Sequence, residues 1–294
     1  MVAHLAPRSR RFPVVAALVA GLVVLPVPPT LAAGPAGGAT GARETAEASA
    51  SRPFRLDLAR DNDYVRQTNF VQCVGASVQM MINMTRPGAD RSARTQRRLQ
   101  VLARNTSGPR PDGSVRQGAG VFGWATALNR KDAGPYEVVG ADSLQEAMRI
   151  AARAIVEHRR PVGLLVWKGR HAWVMSGFEA TGDPRDGSFR VTRANILDPL
   201  HPHGSAYWGP SPRPGSSISV REVGRQFVHR DLHSDWNTLP GMIDLAGKWV
   251  LVVPTGPSHG TTDGATGDGS APALAVPTIV LPLPPRAPDW ERNY

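Results

Sequence analysis

The chain has 294 residues, 41% hydrophobic and 20% charged, which is enough apolar material for one substantial domain or two small ones and excludes wholesale disorder. Its formal net charge of +10 rests on arginine, because Lys131, Lys168 and Lys248 are the only lysines. The one dense basic run, "RSARTQRR" from Arg91 to Arg98, reads as the solvated face of a surface helix rather than a nucleic-acid stripe, so nucleic acid is excluded as an expected partner. Peripheral, salt-sensitive attraction to an anionic cell surface is expected instead.

Arg8, Arg10 and Arg11 precede an apolar run from Val14 to Leu25, which Pro26, Pro28 and Pro29 break before "TLAAG". This pattern predicts a secretory signal over residues 1–33, cleaved near Ala32 or Ala33. A bilayer span wants about 20 apolar residues, so the run is short for an anchor. Loss of the signal removes three arginines and no acid, leaving +7, and the expected location is secreted. Residues 34–52 are small, polar and glycine-rich and read as a flexible linker. One globular domain is expected over residues 53–253, followed by a Gly/Thr/Asp-rich and then Pro-rich tail over 254–294.

The first half of the domain reads helical. Val74, Val78, Met81 and Ile82 follow helical spacing from Cys73 to Met84, and Pro87-Gly88 ends the run. A second amphipathic piece runs from about Ser92 to Ala103, and a third begins near Gly120 with Val121, Trp124, Ala125 and Leu128 on one face. Ser143 and Glu146 predict a capping box ahead of a fourth helix that stops before Pro161. The second half reads as strands: "VGLLVW" (162–167), "HAWVMSGFEA" (171–180), "FRVTRANILD" (189–198) and "KWVLVV" (248–253), separated by turn signals. Helices first and an antiparallel sheet afterwards predict an α+β domain of two packed lobes.

Cys73 is the only cysteine, so in an oxidising location it cannot form an internal bridge. An intermolecular disulfide, inert packing and nucleophilic chemistry remain. A nucleophilic cysteine works as thiolate, which a helix N-terminus or an adjacent imidazolium favours. Cys73 stands where an irregular stretch becomes a helix. His171 opens a strand directly after the turn "KGR" and is the candidate imidazole. Asp198 ends the next strand in "NILDP" and is the candidate for fixing the ring, with Asn195 as an alternative. The amide of Cys73 and the side chain of Gln67, six residues earlier, are candidate oxyanion donors, and Gln72 competes with Gln67 for that role. Read blandly, the same residues are a small core cysteine, a strand-end histidine and a turn-forming aspartate.

Glutamine six positions before a helix-starting cysteine, "HAWVMSGFEA" as the histidine strand and "ILDP" as the acidic strand together resemble a papain-like cysteine peptidase, most similar to the C39-like peptidase family. The resemblance covers roughly Gln67 to Asp198. It implies a papain-like fold, an N-terminal helical lobe packed on an antiparallel β-sheet lobe, and hydrolysis of peptide bonds in a peptide or protein substrate without a cofactor. By the same resemblance Cys73 matches the nucleophile, Gln67 the oxyanion-hole glutamine, His171 the general base and Asp198 the orienting acid. The chain departs from the family in reading "QCVGA" around the cysteine, and its His171 to Asp198 interval is long, which a hairpin extended around "TGDPRDGS" accounts for. A monomer is expected. The alternative is a catalytically inactive exported protein that binds a peptide or wall component on the same scaffold.

A second constellation is "HPH", His201 and His203, with "HRDLH", His229 and His233. The latter pair would share one helix face at i and i+4 and could chelate zinc. Arg230 stands where a zincin motif has its glutamate, so no metal is expected in the catalytic chemistry. Trp208 and Trp236 are candidates for lining a substrate groove.

Overall fold

A computed structural model describes residues 53–108, 116–231 and 245–256. The expected signal, the linker, nearly all of the tail, His233 and Trp236 lie outside these residues.

Three helices come early in the chain and share one layer: α1 (Cys73–Thr85), α2 (Ala93–Asn105) and α3 (Val121–Arg130). Ser92 caps α2 by accepting the Thr95 N–H. Gly75 lets α1 lie close against α2, since a Cβ there would stand 2.7 Å from the Gln96 carbonyl oxygen. That close approach brings the Gln100 Oε1 to the Gly75 N–H at 2.7 Å, satisfying one of the amides that the start of a helix leaves free.

The expectation of an all-helical first half needs correcting. It also contains β1 (Pro53–Asp57) and β2 (Tyr136–Ala141). The fourth helix, α4 (Leu144–His158), is capped by Ser143, which accepts the Glu146 N–H. The Glu146 carboxylate takes the Asp142 N–H at 2.7 Å, one residue before the position that would close the expected box. The closed capping box belongs instead to Ser219 and Glu222, at the start of α5 (Val220–Gln226).

The expected strands all form: β3 (Val162–Val166), β4 (His171–Thr181), β5 (Arg190–Leu197) and, after the short β6 (Gly204–Ser205), β7 (Gly209–Pro210) and β8 (Ser217–Ser219), the last strand β9 (Trp249–Pro254). Seven of them make one antiparallel sheet in the order β2-β9-β3-β4-β5-β8, with β1 also on β4. The long β4 thus carries β3 along residues 171–175 and β1 along residues 177–181 of one edge, and β5 along the other.

Both faces of this sheet are buried. On one face α1 and α3 pack through Met80, Met81, Trp124 and Leu128 against Ala172, Val174, Val250 and Val252, and α2 packs on those two helices through Leu99 and Ala103. On the other, α4 and α5 pack through Met148, Ile155 and Val223 against Leu164, Trp173, Met175 and Leu251. Gly163 makes room for Trp124, because a Cβ there would stand 2.6 Å from the indole. Each such large side chain contributes about 1.5–3 kcal/mol on burial. The domain is therefore α+β, with helices on both sides of the sheet rather than one helical lobe against one sheet lobe. Double burial is also why β3 and β9 are nearly continuous apolar runs.

Candidate active site

Cys73 is the first residue of α1 and is half-buried. Among the described residues its N–H meets no acceptor, since Gly75 is served by Gln100 and Ala76 by the Gln72 carbonyl. His171 opens β4 after the turn from Trp167 to Arg170, in which Trp167 and Lys168 both hold φ of 57° and Gly169 94°. Left-handed backbone at two non-glycine residues costs on the order of 1 kcal/mol or more each. The turn brings the Trp167 ring onto the His171 imidazole, with centroids 4.2 Å apart and planes 25° from parallel. The Trp167 Nε1 donates to the Gln226 Oε1 at 2.9 Å, which fixes the indole as a cover over the imidazole.

Asp198 follows directly on β5, the hairpin neighbour of β4, and is fully buried. Its Oδ1 lies 2.7 Å from the His171 Nε2 and also accepts the Leu200 N–H at 2.8 Å. The imidazole Nε2 is thereby committed, which leaves Nδ1 for Cys73, close enough to act on the ring although no hydrogen bond of good geometry joins the two. His171 is only 4% exposed, and burial by itself pulls its pKa down. Asp198, through its hydrogen bond and its charge, and Cys73 close by outweigh that and push it up to about 9. Burial likewise works against the Asp198 carboxylate, yet the His171 hydrogen bond and charge hold it below the ordinary value. The Ser211 hydroxyl helps from close by, although neither Ser211 Oγ nor Asp198 Oδ2 completes a hydrogen bond of good geometry, so its influence is electrostatic.

The structure thus brings together Cys73, His171 and Asp198. Asn195 is not part of the group: it is buried and donates its Nδ2 to Asp57 at the end of β1. The backbone of Gln67 is tied to the turn after Asp198, its N–H donating to the Pro199 carbonyl at 2.8 Å. One Nε2 hydrogen of Gln67 goes to the Asn69 carbonyl at 2.8 Å, leaving the second, while Oε1 has no partner among the described residues. Gln72 is turned elsewhere, its Oε1 accepting from the Thr68 hydroxyl.

Sequence reasoning missed three contributors. Tyr64 donates its hydroxyl to the carbonyls of Asp198 (3.2 Å) and His201 (3.1 Å), holding the acidic turn in place. Burial, with the Asp198 charge added, pushes its pKa up to about 12. Trp167 and Ser211 are the other two. Trp167 stands four residues before His171, so an aromatic near the histidine was a usable signal, whereas Tyr64 and Ser211 reach the site from loops with no local mark.

The expected helical histidine pair needs correcting. His229 is not on a helix, because the Arg230 N–H bonds to the Lys248 carbonyl at 2.9 Å and draws that segment out toward β9. Its ring meets Trp249 edge-on at 5.2 Å. His203 takes the Arg66 Nη2 on its Nε2 at 2.5 Å. Among the described residues no group of three or more His, Cys, Asp or Glu could hold a metal ion. Trp208 is half-buried and meets Tyr207 edge-on at 4.8 Å.

No protein-family model, curated protein or solved structure matches the chain.

Proposed function

We propose that the protein is an exported cysteine-type peptidase, similar to the C39-like branch of papain-like enzymes, with its catalytic domain over residues 53–253. The observation that carries this reading is the buried imidazole of His171, held by the Asp198 carboxylate at 2.7 Å and close enough to Cys73 for that residue to push its pKa up as well. A helical layer that presents a thiol at a helix start, against an antiparallel sheet that presents an imidazole at a strand start, is the arrangement a papain-like fold calls for.

In this mechanism the Cys73 thiolate attacks the substrate carbonyl carbon, forming a C–S bond as the carbonyl electrons move to oxygen. The free Cys73 N–H at the start of α1 and the uncommitted Nε2 hydrogen of Gln67 are the donors available to that oxyanion. The His171 imidazolium then gives its Nδ1 proton to the leaving amine as the C–N bond breaks, leaving a thioester. Neutral His171 removes a proton from water, the hydroxide adds to the thioester, and breakage of the C–S bond returns the thiolate and releases the acid. Asp198 keeps Nε2 protonated throughout, so that Nδ1 is the nitrogen that exchanges protons. No cofactor enters any step.

The test is alkylation of the single thiol beside turnover of a peptide library. Iodoacetamide should label Cys73 rapidly near neutral pH, much more slowly in His171→Ala, and Cys73→Ala should release no product. Undiminished turnover in Cys73→Ala, or equal labelling rates with and without His171, would overturn the proposal.

A further inference from the structure

The far end of α1 borders a cavity of about 510 Å³, enclosed by the end of α1, the turn after it, one flank of α2 and the residue that caps α3. Three cations line it: Arg86, Arg98 and Lys131. Among the described residues none of the three is paired with a carboxylate, and the Arg86 Nη2 donates instead to the Lys131 carbonyl, which brings these two residues together. The single carboxylate in the wall, Asp90, is occupied with the start of α2, accepting the Ser92 N–H at 2.8 Å and the Thr95 hydroxyl. Helix α2 has four arginines and no acid of its own to neutralise Arg98. Also in the wall is Gln79, 1% exposed, which gives its Nε2 to the carbonyls of Asp90 and Ser92 while its Oε1 has no partner among the described residues.

We propose that this cavity is an anion site for a phosphate ester, with Arg86, Arg98 and Lys131 around the phosphate oxygens and Gln79 available to a hydroxyl or ammonium group of the esterified alcohol. Three unpaired cations around one concavity focus positive potential there, and arginine presents the forked donors that suit phosphate oxygens. The site is separate from the thiol: α1 spans about 18 Å between Cys73 and Thr85 at 1.5 Å per residue. An anionic surface held here would keep the protein on that surface with the thiol end of α1 free. The inference does not rest on the peptidase reading, and each can fail alone.

The experiment is a titration of the full chain with inorganic phosphate and with glycerol phosphate at constant ionic strength, read by NMR shifts of the amides around Gly88. Saturable binding is expected, with chloride inert, and at least tenfold weaker binding in Arg98→Gln/Lys131→Gln. Arg97→Gln, which removes one charge from the same helix but not from the cavity, should bind as the unaltered protein does. Both altered positions are exposed, and thermal unfolding without phosphate checks that the fold is kept. Equal binding by the double variant, or an equal loss in Arg97→Gln, would overturn the site in favour of diffuse charge. Retention on vesicles containing phosphatidylglycerol, against retention on a soluble poly(glycerol phosphate), then distinguishes a lipid headgroup from a wall-type polymer. Binding of inorganic phosphate without binding of glycerol phosphate would overturn the phosphate-ester assignment.

Discussion

At the first residue of α1, Cys73 meets an imidazole and a carboxylate that are both buried, whereas at the other end of the same helix Arg86, Arg98 and Lys131 stand exposed around a cavity. A buried charge is costly unless a partner and hydrogen bonds offset its desolvation, so at the Cys73 end the buried His171 and Asp198 answer one another. Exposed cations carry almost no such cost, so those at the far end persist unpaired. The two ends should therefore differ sharply in their response to substitution. Loss of the buried imidazole or carboxylate should damage both chemistry and fold, loss of the half-buried thiol chemistry alone, and loss of one group at the cation end neither.

The largest expected effect separates chemistry from fold at the thiol itself. On the peptidase reading Cys73→Ala should lower turnover by roughly a thousandfold or more, as removal of a nucleophile does in hydrolases. Cys73 is only half-buried and small, so its loss should shift stability by no more than about 1 kcal/mol. Peptide turnover and thermal unfolding of the same preparation check both parts. Asp198→Ala should instead fail on both counts. It leaves an imidazolium buried without its carboxylate, at a cost of about 3–5 kcal/mol, and it frees the ring tautomer. Lys131→Ala, by contrast, should remain within about 0.5 kcal/mol of the unaltered protein, and a denaturant series across the three variants would test the comparison directly.

The buried pair also fixes a pH window. His171 is raised from an ordinary 6.5 to about 9, so the stability it contributes is fully present below about pH 6.5 and is lost as pH rises through 9. Asp198 is lowered, so its contribution is present above the ordinary carboxylate value and is lost as pH falls below it. The advantage of the unaltered protein over Asp198→Asn should be greatest between about pH 4 and 6.5 and should narrow by roughly 3 kcal/mol toward pH 10. Unfolding midpoints at several pH values measure this, and a constant gap would contradict the pairing. Because Cys73 supplies part of the upward shift, Cys73→Ala should lower the His171 pKa, which imidazole NMR reads directly.

The fold was legible where a local rule decides the outcome. Strands β3, β4 and β9 were readable as apolar runs because both of their faces are covered, and α4 was readable from Ser143 and its apolar spacing. Strand β2 was not, because what makes "YEVVGA" a strand is pairing with β9, more than a hundred residues later. Strand β1 depends in the same way on the distal half of β4. Within the site, His171 and Asp198 could be paired on paper because they terminate consecutive antiparallel strands, and Cys73 because a helix begins there. Tyr64 and Ser211 could not, since the loops that deliver them are placed by tertiary contacts such as the Gln67 amide on the Pro199 carbonyl.

A smaller effect on the chemistry falls on a group that touches neither sulfur nor imidazole. The Tyr64 hydroxyl spans two carbonyls of the turn that follows β5, and so acts on the chemistry only through the position of Asp198. Tyr64→Phe removes that tie while keeping the ring, so it should cost about 1 kcal/mol, the usual net value of one hydrogen bond. If the tie matters chiefly for holding Asp198 against His171, the variant should also lower the His171 pKa and reduce turnover severalfold with KM little changed. A loss of stability without movement of the imidazole titration would assign Tyr64 to the fold alone, and would mean that the Leu200 amide, which shares Asp198 Oδ1, is sufficient to aim the carboxylate.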